Sequence, residues 1–427
     1  MAMAATLTFI SDTNSYAPAT IECPWKYDTL LREKAPVYHD KDNDMYVVSN
    51  YELVNEVLMH PELYSSRYME KMLSKEPFPA EIMEVYAQGF RIGDALLVSD
   101  GEIHERHRQI ATKAFSRKRL EELAPLFSQC TSDLLDKLIP KGKMNFLEEL
   151  ATPVPMNILQ QQLRVPNEDM PRATEWSSIL ESGFGGIDKS LERLKYEAEQ
   201  TVECEHYFAE KIEQEMKRIQ NTGKGERDDD LITMLSQSIL DPDCPMDMTE
   251  AISFVINLFP ATHGTTTVAL TACMHRFTDN PDVQNRIAED PALIGKLIEE
   301  SMRHETPVRA FWRRTLQDVT LGGIQIPKDQ YILLRTSAAN RDSCAYENAD
   351  EFNVDRPMSR QHFNFGRGIH FCAGRSFAVH IITDVIGQLS KRAKNFKFIE
   401  GKNSFLHKPN MLAAGYQELH VEFTPRR

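Results

Sequence analysis

Residues 365–374 read Phe365-Gly366-Arg367-Gly368-Ile369-His370-Phe371-Cys372-Ala373-Gly374, and an apolar-periodic run at 377–389 follows. The order is a glycine-rich loop, a cysteine, then a helix. Glycines permit the tight turns and close backbone approach that a flat ligand needs. A cysteine just ahead of a helix lies near backbone N–H groups that have no intrahelical partner, which favours a thiolate. The competing reading is a glycine turn beside an inert, buried thiol.

A thiolate in such a loop can be the axial ligand of haem iron, where it pushes electron density toward O–O cleavage. The pattern F-G-x-G-x-H-x-C-x-G resembles the signature of the cytochrome P450 family at all six fixed positions, a chance match on the order of 10⁻⁵ in a chain of this length. The resemblance implies a mainly α fold with small β-sheets, in one large domain over 1–427, with haem b buried between a long oxygen-binding helix and the cysteine-loop helix. It implies Cys372 as the iron ligand, with Phe365, Gly366 and Ala261 against the haem.

Other segments fit the same family in register. Glu300-Ser301-Met302-Arg303 matches its E-x-x-R, although an i,i+3 charge pair alone is usually a solvated helix face. Downstream Ala338-Ala339-Asn340-Arg341-Asp342, Phe352, Asp355 and Arg356 look like the stretch whose arginine joins that pair. Glu300, Arg303 and Arg356 are expected to form a buried ion network with a folding role. His104 and Arg108, four apart on one helix face, resemble a propionate-binding pair. Arg313 and His370 are expected to complete the cage around the two carboxylates.

The helix that carries the oxygen site in this family resembles Phe259-Pro260-Ala261-Thr262-His263-Gly264-Thr265-Thr266 here, with Thr265 at the place of the oxygen-stabilising threonine. Gly264 stands where a carboxylate is usual and Thr262 where glycine is usual. Splitting O₂ needs protons at the distal oxygen, and Gly264 cannot supply them. Either His263, Thr262 or a substrate hydroxyl supports a rearranged water chain, or the enzyme is slow or uncoupled on ordinary substrates, or Thr265 and water alone suffice; on a missing-relay account Gly264→Glu is expected to improve coupling. Pro260 lacks an N–H and should kink the helix. A peroxide-driven or non-oxygenating enzyme and a non-catalytic haem sensor or carrier remain alternatives to the main expectation, a monooxygenase fed by NAD(P)H through a ferredoxin and its reductase that oxidises a small, largely apolar molecule.

The chain has 427 residues, with 63 Asp and Glu against 49 Lys and Arg, a net charge of −14 that disfavours nucleic acid as a partner. Against that background Arg106, Arg108, Lys113, Arg117, Lys118 and Arg119 form a basic run, joined by Arg367 and Arg375, that would suit an acidic ferredoxin. The seven cysteines show no C-x-x-C pair, so a disulfide framework or zinc ribbon is not indicated and six of them are expected to be core residues. Neither a secretory signal nor a run of ~20 apolar residues is evident; a soluble, cytoplasmic monomer is expected.

These residues must be positioned by helices predicted at 101–115, 118–137, 249–277, 292–305 and 374–391, and by a long one over 188–222 striped with Leu191, Leu194, Ala198, Val202, Phe208, Ile212, Met216 and Ile219. Strand patterns occur at 36–50, around a DKDND turn, at 317–335 and in Glu-Leu-His-Val-Glu-Phe near the C-terminus. The resemblance implies a substrate pocket lined from 66–97, 170–220, 257–265, 308–311 and near Met411. Arg309 is a candidate there for a substrate carboxylate.

Overall fold

The computed structural model describes residues 15–69, 78–90, 93–183, 190–227, 229–244, 246–357, 360–408, 410–413 and 415–426. The principal helices are α1 (Tyr51–Met59), α2 (Gly101–Ala114), α3 (Arg117–Leu138), α4 (Met170–Gly183), α5 (Leu191–Thr222), α6 (Leu231–Leu240), α7 (Met248–Phe259), α8 (Thr265–Asp279), α9 (Leu293–Glu305) and α10 (Arg375–Arg392). The strands are β1 (Val37–Asp40), β2 (Met45–Val48), β3 (Tyr64–Ser65), β4 (Lys143–Asn145), β5 (Ala310–Thr315), β6 (Val319–Leu321), β7 (Ile324–Ile326), β8 (Tyr331–Arg335), β9 (Ala393–Phe398) and β10 (His420–Pro425). The fold is mainly α with small sheets. It divides into two compact units, one of Met1–Ser66, Pro125–Val154 and Thr265–Arg427, the other of Arg67–Ala124 and Pro155–Gly264.

The first unit holds all the named strands. β1 and β2 form the hairpin expected from the sequence, with Val37 opposite Val48, and β2 continues in parallel with β8. All five residues of β8 are buried, the pattern of a strand covered on both faces. β5 lies antiparallel beside β8 with Arg313 opposite Ile332; its mixed basic and aromatic sequence gave no strand signal. β4, β10 and β9 make a second sheet, and β6 and β7 a hairpin. Asn50 caps α1 by accepting the N–H groups of Glu52 and Leu53, and its amide donates to Asp342 at 3.0 Å. A lost cap of this kind costs about 1 kcal/mol.

The second unit is built on α5, 32 residues long and so about 48 Å. Ser190 caps it and Gly223, at φ 70°, ends it. Residues 188 and 189 of the predicted span lie outside the described residues. Ala198, Val202, Phe208 and Ile212 of its stripe are buried, whereas Leu191 is exposed because the stripe outruns the packed length. Phe208 meets Trp176 of α4 and Phe259 of α7 with ring centroids 6.2 and 5.6 Å away. Burying such a ring contributes about 2–3 kcal/mol.

The helix predicted at 249–277 is interrupted. Asp247 caps α7, a π-helical turn spans Pro260–Gly264, and α8 continues from Thr265. Pro260 explains the break, since it offers no N–H to the preceding turn, and wide turns of this kind often mark functional sites.

Candidate active site

In the first unit Gly366 and Gly368 have φ of 64° and 62°. A Cβ at 368 would also sit 2.7 Å from the carbonyl oxygen of Leu58, at the end of α1, so glycine is required there by conformation and by space. The loop closes on itself: Gly366 N–H donates to Phe363 O at 2.8 Å, Phe371 N–H to Gly368 O at 3.1 Å, and Cys372 N–H to Phe365 O at 2.8 Å. Arg367 fastens it to α1 through Asn55 and the Tyr51 hydroxyl, and Arg375 fastens its far end to Glu299 on α9.

Cys372 is partly exposed on this loop. Burial pushes the Cys273 thiol up to about 12 and the Cys204 thiol well above its ordinary range. Those two are inert core residues. The expectation of six core cysteines is corrected: Cys23 and Cys344 are exposed, and Cys130 and Cys244 partly so.

His370 Nε2 lies 2.9 Å from Ser66 Oγ. Arg313 is buried on β5 and donates to Trp312 O at 2.7 Å. A soft sulfur on a glycine loop, a buried guanidinium and an imidazole within one unit are the donor set that an iron porphyrin with anionic carboxylates requires. Arg309 is placed otherwise than expected. It is 1% exposed, donates to Ile21 O at 2.6 Å and lies over the Trp25 ring, and burial lowers its pKa to about 10. It fastens the N-terminal segment.

Glu300 and Arg303 are fully buried. Arg303 grips both Glu300 oxygens at 2.8 Å and donates to the carbonyls of Asn340, Ala349 and Glu351. Asn353 N–H and Arg356 Nε reach Glu300 Oε1 at 2.8 and 3.1 Å. Burial alone would raise the Glu300 pKa; the hydrogen bonds and charge of Arg303, with Arg356, outweigh it and hold the carboxyl below its ordinary value. Asp355 instead pairs with Arg286.

In the second unit His104 is buried on α2 and Arg108 is partly exposed one turn on. Between them His107 is buried, with Nε2 2.9 Å from Glu250; burial, with the charge of Arg106, lowers its pKa to about 4 and keeps it neutral. Arg106 makes a two-armed pair with the same Glu250 at 2.9 Å. The basic run is thus smaller than its sequence suggests. Arg106 and the buried Arg119, which pairs with Asp229, are turned into ion pairs, as Arg367 and Arg375 are tied in the other unit; Lys113, Arg117 and Lys118 remain exposed, Arg117 and Lys118 in surface pairs with Glu121 and Glu122 one turn on. Glu250, 144 positions from Arg106, carries no sequence signal that links the two.

Along the π-helical turn Ala261 is partly exposed, as is Thr265 just beyond it, whereas Thr262, His263 and Gly264 are buried. His263 Nδ1 lies 2.8 Å from Ser177 Oγ on α4, so of the two residues expected to support a relay His263 is engaged with α4, and Thr262 is buried beside it. The expectation for Gly264→Glu also changes. A Cβ at 264 would lie 2.7 Å from Cδ of Glu181 and 2.9 and 3.1 Å from its oxygens, so that volume already holds a carboxylate.

Comparison with known proteins places the chain in a family. The chain is 27% identical over 380 residues to cytochrome P450 107B1 of Saccharopolyspora erythraea, covering 88% of this chain and 89% of that one. It is 25% identical over 386 residues to pulcherriminic acid synthase of Bacillus subtilis, covering 88% and 90%. The crystal structure of the Tepidiphilus thermophilus P450 heme domain superposes with a TM-score of 0.85 over 97% of each chain at 22% identity. With the family model for cytochrome P450 matching residues 25–389 as well, the chain belongs to the cytochrome P450 family.

Proposed function

We propose that residues 1–427 form one catalytic domain, a haem-thiolate monooxygenase that uses NAD(P)H, through a ferredoxin and its reductase, to insert oxygen into a small, largely apolar substrate. The observation that carries this reading is the closed glycine loop that presents Cys372. The reaction balances as R–H + O₂ + NAD(P)H + H⁺ → R–OH + H₂O + NAD(P)⁺, so one oxygen atom leaves as water and takes two protons.

Cys372 would hold the iron, with Phe365, Gly366 and Ala261 beside the macrocycle and His104, Arg108, Arg313 and His370 on its carboxylates. Bound there, haem supplies the site of O₂ activation, and the thiolate supplies electron density for O–O cleavage. Thr265, partly exposed at the start of α8, carries a hydroxyl suited to hold a water and pass a proton. Lys113, Arg117 and Lys118 offer a reduced basic face for an acidic donor.

The test is the absorption spectrum of the reduced carbon monoxide adduct. A strongly red-shifted band, lost in Cys372→Ser, is expected; an unshifted band in the wild type overturns the reading. Turnover with hydrogen peroxide alone, at the rate supported by NAD(P)H and the partners, would favour a peroxide-driven enzyme.

A further inference from the structure

Ser177 and Glu181 lie four apart on α4 and so on one face of it. Both meet the π-helical turn: Ser177 holds His263, and the Glu181 carboxylate lies over Gly264, at the distances given above. Any side chain at 264 would have to displace that carboxylate. Glu181 is half-buried, and Gly264 is the residue directly before Thr265. Glycine is what admits a carboxylate from another helix to this position.

We propose that Glu181 is the proton-donating acid of this bend, delivered by α4 to the volume beside residue 264. The proposal rests on the monooxygenase reading. The Glu181 carboxyl gives its O–H proton to water held at the bend and takes one back from solvent, unchanged over a cycle. A carboxyl on a separate helix can withdraw if α4 moves, whereas one fixed at 264 cannot, so proton supply here depends on the seating of α4.

The proposal has a steric test and a chemical one, neither of which needs the natural substrate. Gly264→Ala should lower the melting temperature of the holoprotein by roughly 3 °C, and this loss should vanish in Glu181→Ala/Gly264→Ala. Additive losses would overturn the placement of the carboxylate. For the chemistry, substrate-free oxygen consumption is followed with NADPH, a plant-type [2Fe–2S] ferredoxin and its flavin reductase. Peroxide release follows O₂ + NADPH + H⁺ → H₂O₂ + NADP⁺, and full reduction follows O₂ + 2 NADPH + 2 H⁺ → 2 H₂O + 2 NADP⁺.

Glu181→Gln should drive the NADPH to O₂ ratio toward the peroxide limit, raise the peroxide share several-fold and change the solvent deuterium isotope effect. Glu181→Ala/Gly264→Glu should restore the ratio, while Gly264→Glu alone, which puts two carboxylates in one volume, should not improve it. An unmoved ratio and isotope effect in Glu181→Gln, with a normal carbon monoxide band, overturns this proposal alone. Absence of the thiolate band from the wild type overturns the monooxygenase reading and this proposal with it.

Discussion

Each unit contains a buried ion cluster, and the two are built on opposite plans. In the first, two arginines share one carboxylate, Glu300, and the surplus positive charge is absorbed by backbone carbonyls from 340 to 351. In the second, one arginine serves several carboxylates. Arg164, at φ 50°, binds Asp230 through two nitrogens and Glu215 through a third, while Asp230 caps α6 and Glu215 accepts the Glu226 N–H. Burial works against the Arg164 charge, and Asp230 and Glu215 more than reverse it, so its pKa is raised. The first cluster ties down a long irregular loop by its main chain; the second locks the connection between α5 and α6. In both, a satisfied network is modest in net worth, but a broken one strands a buried charge.

The largest expected effect therefore comes from breaking the first cluster. Arg303→Ala leaves Glu300 and several carbonyls without their donor and should cost about 3–5 kcal/mol, read as a lower denaturation midpoint and lost haem retention. Arg164→Ala should cost less, about 2–3 kcal/mol, since its side chain is 14% exposed and water reaches it.

That second variant also sharpens the comparison through pH. The Glu215 pKa is lowered: burial opposes this, but Arg164 and two further hydrogen bonds prevail. A lowered acid contributes stability above its unfolded value, near 4.5, that is lost as pH falls through the folded value. The wild type should lose stability steeply below about pH 4.5, and Arg164→Ala should flatten that limb in acid melts.

Glu205 offers the reverse sign in the same unit. It is buried and accepts the Phe90 N–H at 2.7 Å, and burial raises its pKa to about 7. A raised acid stabilises below its unfolded value and loses that contribution as pH rises through the folded one. Glu205→Gln, which keeps an acceptor for Phe90, should stabilise the protein by roughly 1–2 kcal/mol at pH 8 and little at pH 5, as measured by urea melts at both values.

The smallest structural effect is expected at the surface. Lys113→Glu or Arg117→Glu should leave the melting temperature unchanged, yet slow reduction by an acidic ferredoxin about tenfold at low salt and weaken its salt dependence. Arg106→Gln should instead destabilise the second unit, because it strips Glu250 of its partner.

The two clusters also differ in how readily the sequence discloses them. Glu300 and Arg303 lie one helical turn apart, so local geometry alone makes them neighbours. Arg164, Glu215 and Asp230 come from three distant segments with no common pattern. The same division holds at the site. Cys372 and its glycines were legible because a ten-residue loop must satisfy φ, space and ligand chemistry within itself. Helices α2, α3, α9 and α10 were legible from their apolar period. β5 was hidden because a strand pairing on both edges tolerates Arg313 and Arg314 once neighbours cover them, and the basic run misled because charge counted along a helix ignores which face meets Glu250.

The sequence by itself determined the family, the closed glycine loop that presents Cys372 and the helix break at Pro260, all features in which residues close along the chain constrain one another directly. The tertiary structure decided where charges end: which arginines are spent in ion pairs, that His263 faces Ser177, and that a carboxylate from 181 lies over Gly264. Those outcomes depend on which distant segments share a volume, and long-range packing sets that, not local spacing.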